Sequence, residues 1–262
     1  INLNLGAPRF DLVPSSSTKL PADRRGHPPP WGLPELRAAV AERLNGEQRL
    51  GVHPTDQVLI THGGAGAFSI ALDSFLNPGD RVVLFDPTSP LFPFALAQRR
   101  ARIRWVPTWT ENGRVRFQAK AFVRALDRAR LLVLAAPCNP TGAVFASEDL
   151  DQIAWWADRR DVLIYSDEVF GGYWYEGERL SIGSLPRARR RTLTAGSVSK
   201  TYALASARVG WLAGHRHLIR PCTLTAVLQV PFVPTLCQQV ALNALRQDSA
   251  LPAIREELDS RR

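Results

Sequence analysis

Short apolar runs alternate with helical repeats along this chain. Gln57–Thr61 (QVLIT), Arg81–Phe85 (RVVLF), Ile103–Val106 and Leu131–Ala135 (LLVLA) are brief and rich in Val, Ile and Leu. Each reads as a largely buried strand. Between them, Ala65–Leu76, Pro90–Arg100 and Ala119–Ala129 repeat apolar residues every three or four positions and predict helices. Upstream, Pro34–Leu44 (PELRAAVAERL) has the same spacing, with Pro where a first helical turn tolerates it. Downstream, Ser147–Asp158 opens as Ser-Glu-Asp-Leu, a helix-cap pattern. Val162–Tyr165, Thr192–Ala195 and Val209–Ala213 read as further strands, and the pattern turns helical after Leu218. Asn77-Pro78-Gly79-Asp80 is a turn signal. The first thirty residues, rich in Pro, Ser and Gly, read as an extended arm.

This alternation predicts an α/β domain with a mostly parallel central sheet and helices on both faces. Ligands of such sheets sit at the carboxyl ends of the strands. Polar motifs that follow strands are therefore the places to look for chemistry.

Composition changes the picture in three ways. With 262 residues, 45% of them hydrophobic, the chain can build one large domain or two small ones. A net charge of +9 is compatible with nucleic-acid binding. The densest basic run, Arg187-Ala188-Arg189-Arg190-Arg191, lies between a loop and a strand with no zinc-finger, RNP-like or basic-helix pattern beside it. It reads as a solvated surface, and neither nucleic acid nor membrane is expected as a partner. No apolar run reaches bilayer length, and INLNLGAPRF lacks the pattern of a secretory signal. Cys138, Cys222 and Cys237 have no metal-like spacing, and His215 and His217 lack a third ligand. Reduced thiols, a cytoplasmic location and no metal are the expectations. The chain starts at Ile1, contains no Met and stops inside a helical pattern, so a partial sequence is expected.

Four motifs carry candidate chemistry. His62-Gly63-Gly64-Ala65-Gly66-Ala67 joins a strand to a helix, where free N–H groups can meet a phosphate, although a tight turn alone also needs glycine. Asn139, in Pro137-Cys138-Asn139-Pro140-Thr141-Gly142, follows the LLVLA strand; a plain Asn-Pro turn explains it equally. Asp167, in Tyr165-Ser166-Asp167-Glu168, sits at a strand end, where it is either the partner of a cationic ligand atom or a helix cap. The last is SVSKTYALASARVGWL (residues 197–212). Only Lys19, Lys120 and Lys200 are lysines, against 30 arginines. Arginine keeps its proton, whereas lysine becomes a nucleophile when its pKa falls. Lys200 stands near Ser197 and Ser199, and Arg208 adds a fixed cation suited to phosphate.

Joined in this order, with Gly6-Ala7-Pro8, Gly32-Leu33-Pro34-Glu35-Leu36-Arg37, Asn77-Pro78-Gly79-Asp80 and Asn139-Pro140-Thr141-Gly142, these motifs resemble the class I/II aminotransferases. Those are pyridoxal-phosphate enzymes of fold type I. The resemblance implies an aspartate-aminotransferase-like large domain (residues 47–262) preceded by an arm and a first helix of the small domain or interface (residues 1–46). A C-terminal small domain, usual in the family, is expected to be missing from this sequence. It implies that Lys200 forms a Schiff base with pyridoxal 5′-phosphate and then moves a proton at the substrate. Asp167 would pair with the pyridine nitrogen and Asn139 with the ring O3′. Gly64, Ala65, Ser197 and Arg208 would hold the phosphate, and Gly6 would lie near the substrate carboxylate, with Asn139 also facing substrate. The partners implied are an L-amino acid, a 2-oxo acid and a second copy of the chain.

The sequence departs from the family pattern at several points. Phe170 replaces a tyrosine whose hydroxyl touches O3′. Ser89 stands where an aromatic ring stacks on the cofactor, and His27 where a tyrosine reaches the neighbouring subunit's phosphate. Arg255, Arg261 and Arg262 come too early to match the arginine that clamps the substrate carboxylate. Two further readings stay open: a carbon–sulfur lyase or biosynthetic enzyme of the same fold, and a non-catalytic sensor domain of a regulator.

Overall fold

The structure, a computed structural model, describes residues 26–175, 177, 179–247 and 251–261. Gly6 and Arg262 lie outside them. Eight strands among the described residues form one sheet: β1 (Val58–Thr61), β2 (Arg81–Asp86), β3 (Arg102–Glu111), β4 (Arg114–Phe117), β5 (Ala129–Ala135), β6 (Leu163–Asp167), β7 (Thr192–Ser197) and β8 (Gly210–Gly214). Their spatial order is β1-β8-β7-β6-β5-β2-β3-β4. The β3-β2-β5-β6-β7 pairings are parallel, whereas β8 runs antiparallel to both β7 and β1, and β4 antiparallel to β3.

The central strands bury both faces, as their unbroken apolar runs predict. Leu84, Leu131 and Val133 point to one side, against α2 (Gly63–Phe75), α3 (Leu91–Gln98) and α7 (Arg216–Gln229), where Phe68, Phe92, Leu96 and Leu218 close the core. Val83, Leu132 and Leu134 point to the other, under α4 (Ala119–Ala125) and α5 (Ser147–Arg159), with Phe122, Leu126 and Ile153. A third cluster packs α1 (Pro34–Gln48), α8 (Thr235–Arg246) and α9 (Leu251–Asp259) against β1 and β8 through Leu36, Leu44, Trp211 and Leu242.

Several boundaries differ from the sequence expectation. The helix expected at Ala119–Ala129 ends at Ala125, because Arg128 takes a left-handed φ of 51° and Ala129 joins β5 opposite Arg81. The strand expected at Ile103–Val106 runs on to Glu111, because its second half pairs with β4 around Asn112-Gly113. Asn112 (φ 49°) and Gly113 (φ 71°) have the positive dihedrals of a tight hairpin, a signal the sequence carried. Ser147 is the first helical residue of α5 and not its cap; Ala146 holds that position without a side-chain bond.

Candidate active site

The register of the sheet brings the four motifs to one edge. Asp167, the last residue of β6, pairs with Ala135 at the end of β5 and with Ala195 in β7. The Asn139 turn follows β5, and Ala136 N–H donates to the Asp167 carbonyl at 3.0 Å. β7 ends at Ser197, which begins the one-turn helix α6 (Val198–Thr201) bearing Lys200. Ser197 pairs with Gly210, and Gly210 with Thr61, so β8 and its preceding Arg208 adjoin the start of α2. Segments distant in sequence thus meet because parallel strands end together.

Lys200 is half-buried, and its Nζ lies 5.7 Å from the centre of the Phe170 ring. Burial lowers its pKa, and the charge of Arg208 lowers it further. Phe170 therefore supplies an apolar face beside the amine in place of a hydroxyl. Asp167 keeps some exposure at the strand end, but desolvation raises its carboxyl to about 6, with the charge of Glu168 adding and a hydrogen bond from Val169 N–H (3.1 Å) opposing. Such a carboxylate gains from a cationic partner.

The phosphate-binding candidates are built by close approach. A Cβ on Gly63 (φ 71°) would stand 2.6 Å from the Arg208 guanidinium, and a Cβ on Gly210 would stand 2.6 Å from the Gly63 carbonyl carbon. Glycine at both places lets Arg208 lie against the start of α2, where the amides of Gly64 and Ala65 belong to the first turn. Free N–H groups and a fixed guanidinium together suit a phosphate dianion. Ser197 lies beside this cradle, opposite Gly210. Its buried hydroxyl accepts from Ser199 N–H (3.0 Å), capping α6, and lies 2.9 Å from the Val209 carbonyl and from Ser199 Oγ.

Residues that the sequence analysis gave no role of their own support this edge. Tyr173 donates its hydroxyl to the Lys200 carbonyl and so pins α6, and burial pushes its own pKa up to about 12. The buried Glu168 accepts from Ser166 Oγ (3.0 Å) and Ser181 Oγ (2.5 Å) and meets Arg179 at 3.4 Å; Arg179 in turn pairs with Glu47 of α1 at 2.7 Å. His62 has a buried Nε2 without a partner beside this corner. The expectations for His27 and Ser89 meet modest geometry: the exposed His27 stacks on Phe232 (centroids 4.6 Å apart), and Ser89 Oγ accepts from Leu91 N–H at 3.4 Å. Arg255 donates Nε–H to the Gly172 carbonyl at 2.5 Å, and Arg261 pairs with Glu257.

The chain is similar to known proteins in sequence and in fold. The family described as aminotransferase class I and II matches residues 1–262. The aspartate aminotransferase of Pyrococcus abyssi is 30% identical over 100% of this chain and 69% of its own length. The aspartate/prephenate aminotransferase of Thermus thermophilus is 30% identical over 98% and 67% respectively. Among solved structures, the N-succinyldiaminopimelate aminotransferase of Mycobacterium tuberculosis superposes with a TM-score of 0.86 at 26% identity, over 90% of this chain and 62% of that one. The aspartate aminotransferase of Thermus thermophilus with maleate gives 0.82 at 32% identity, over 88% and 60%. The chain thus spans about two thirds of its curated relatives and rather less of the solved chains.

Proposed function

Because this chain belongs to the class I and II aminotransferases, whose members use pyridoxal 5′-phosphate, we propose that it moves an amino group between an L-amino acid and a 2-oxo acid. The observation that carries this reading is the convergence of Lys200, Asp167, Asn139 and Arg208 at one edge of the sheet. The residues suit the cofactor: a cradle that a Cβ would fill, a guanidinium, an acid raised by burial and a lysine lowered by it. When bound, the cofactor supplies a sink for the electron pair left at the substrate Cα.

The chain's own residues do the rest. Lys200 offers a neutral amine to a carbonyl and afterwards holds and returns the Cα proton. Asp167 would pair with the ring nitrogen and favour its protonated form. Asn139 would donate to the ring oxygen. Arg208 and Ser197, with the amides of Gly64 and Ala65, would hold the phosphate, and Ser197 also caps the turn that presents Lys200. Gly6 is assigned to the substrate carboxylate by resemblance alone. Residues 47–262 supply the cofactor-binding body and residues 1–46 the arm and the helix that lies on it.

The same reading includes a homodimer in the cytoplasm. Leu224, Val227 and Leu228 lie on one side of α7, exposed by 62, 40 and 85%, and Val230 (54%) follows. An apolar stripe of this kind favours a protein partner. Among the described residues no helix is long and apolar enough to cross a membrane.

The test is borohydride reduction of the protein with pyridoxal phosphate, followed by peptide mapping, and then turnover of an amino-acid panel with and without a 2-oxo acid. Attachment at Lys200 and not at Lys19 or Lys120, with turnover that requires the acceptor, is the expected result. Ammonia release without an acceptor would instead identify a lyase, and no attachment would overturn the enzyme reading.

A further inference from the structure

At the opposite end of the sheet, where the parallel strands begin, lies a cleft of about 750 Å³. Its charge comes from separate segments: Arg81 at the start of β2, Arg104 in β3, Lys120 and Arg124 on α4, and Arg160 after α5, against the single acid Asp127. Arg104 shares the α4–α5 face of the sheet because it pairs with Val83. Lys120 and Arg124 are four residues apart on a helix, so they face the same way. Asp127 holds two of the guanidiniums, Arg81 at 3.2 Å and Arg160 at 3.9 Å. Arg160 also lies over the ring of Trp156, another wall of the cleft, at 5.8 Å. Among the described residues Arg104, Lys120 and Arg124 form no ion pair.

This concentration was not visible as a run in the sequence. The run that was visible is partly neutralised, since Arg187 and Arg191 pair with Asp158, and Arg191 with Asp161 as well. The cleft keeps five cations against one acid in a space of small-ligand size. Like charges gathered with only one acid among them raise the local concentration of an opposite charge. Guanidinium forks match phosphate oxygens two at a time. A terminal phosphate carries about −1.5 to −2 at neutral pH, and each further phosphate adds to it. Several linked phosphates therefore match the cleft better than one carboxylate does.

We propose that this cleft binds a small polyphosphate, at a site separate from the active site by the length of the sheet. Seven residues of β5 span roughly 20 Å, so the ligand and the Lys200 edge do not touch. The phosphate chain lies among Arg104, Lys120 and Arg124, while Arg81 and Arg160, oriented by Asp127, hold its end. The open cleft and exposed cations make the affinity fall with salt.

Calorimetric titration with tripolyphosphate and with ATP tests this at physiological ionic strength. The protein is first saturated with pyridoxal phosphate, so that the Arg208 cradle is filled. One saturable site is expected, weakened about tenfold or more by Lys120→Glu/Arg124→Glu, which removes two charge-assisted partners. Arg189→Glu/Arg190→Glu changes the net charge equally and is expected to cost less than about twofold, because screening weakens distant charges. Equal affinity for both probes identifies the phosphate chain as the ligand; tighter ATP binding identifies a nucleotide. Lys120→Ala/Arg124→Ala replaces the charge reversal if that variant fails to fold. No saturable binding, equal loss in both charge reversals, or binding of oligonucleotides alone would overturn the proposal.

Discussion

Asp167 ionises at a cost in the cofactor-free protein. Its folded pKa of about 6 lies above the ordinary 3.8, so the folded state holds the proton more tightly than the unfolded chain. The contribution to stability is complete below pH ~4 and is lost as pH rises through ~6, by at most about 3 kcal/mol. Asp167→Asn should remove that loss. Thermal unfolding from pH 4 to 8 should show the cofactor-free wild type losing more stability across pH 6 than the variant does, and the variant should bind pyridoxal phosphate more weakly. The position of Asp167 was legible in the sequence, because a carboxylate after a buried strand stands out. Its raised pKa was not, since desolvation depends on what the other strands place around it.

The single turn of α6 depends on its neighbours. At Gly172 a Cβ would meet Thr201 Cγ2 at 2.3 Å, so a methyl group there pushes against the helix that carries Lys200. Gly172→Ala should destabilise the protein by about 1–3 kcal/mol and slow borohydride-trapped attachment of cofactor to Lys200; an unchanged unfolding temperature would refute this contact. Behind the same loop, Glu168→Ala leaves Arg179 without one of its two carboxylates and strips Ser166 and Ser181 of their acceptor. Breaking a buried pair in this way should cost about 3 kcal/mol, measured by denaturant unfolding, with Glu168→Gln intermediate. Neither contact could be read from residue order. Gly172 resembles any loop glycine, and Glu168 follows Asp167 as another acid would. The β3–β4 hairpin, by contrast, is announced by Asn112-Gly113, although the apolar run of β3 breaks after Val106.

At the scale of the whole molecule, the exposed stripe on α7 is the feature to explain. Leu228 is 85% exposed, an unusual position for leucine beside a well-filled core. If a second copy covers it, Leu228→Asp should leave the monomer folded and shift sedimentation toward the monomer. A wild type that sediments as a monomer at micromolar concentration would remove the dimer from the reading. Charge also belongs to this scale: the net +9 shows one dense run in the sequence, but the fold gathers a second concentration at the start of the strands.

What the sequence by itself determined were the features with short-range causes. Apolar period set most of the strands and helices, strand ends marked Asn139, Asp167 and Lys200, and scarcity singled out that lysine. Only the tertiary structure decided what depends on distant segments meeting. The β1-β8-β7-β6-β5 register put Arg208 against Gly63, burial shifted Lys200 and Asp167 toward each other's protonation range, and chain crossings assembled the basic cleft from β2, β3, α4 and α5. Desolvation and Coulomb interactions act through space, and residue order does not record which residues will share it.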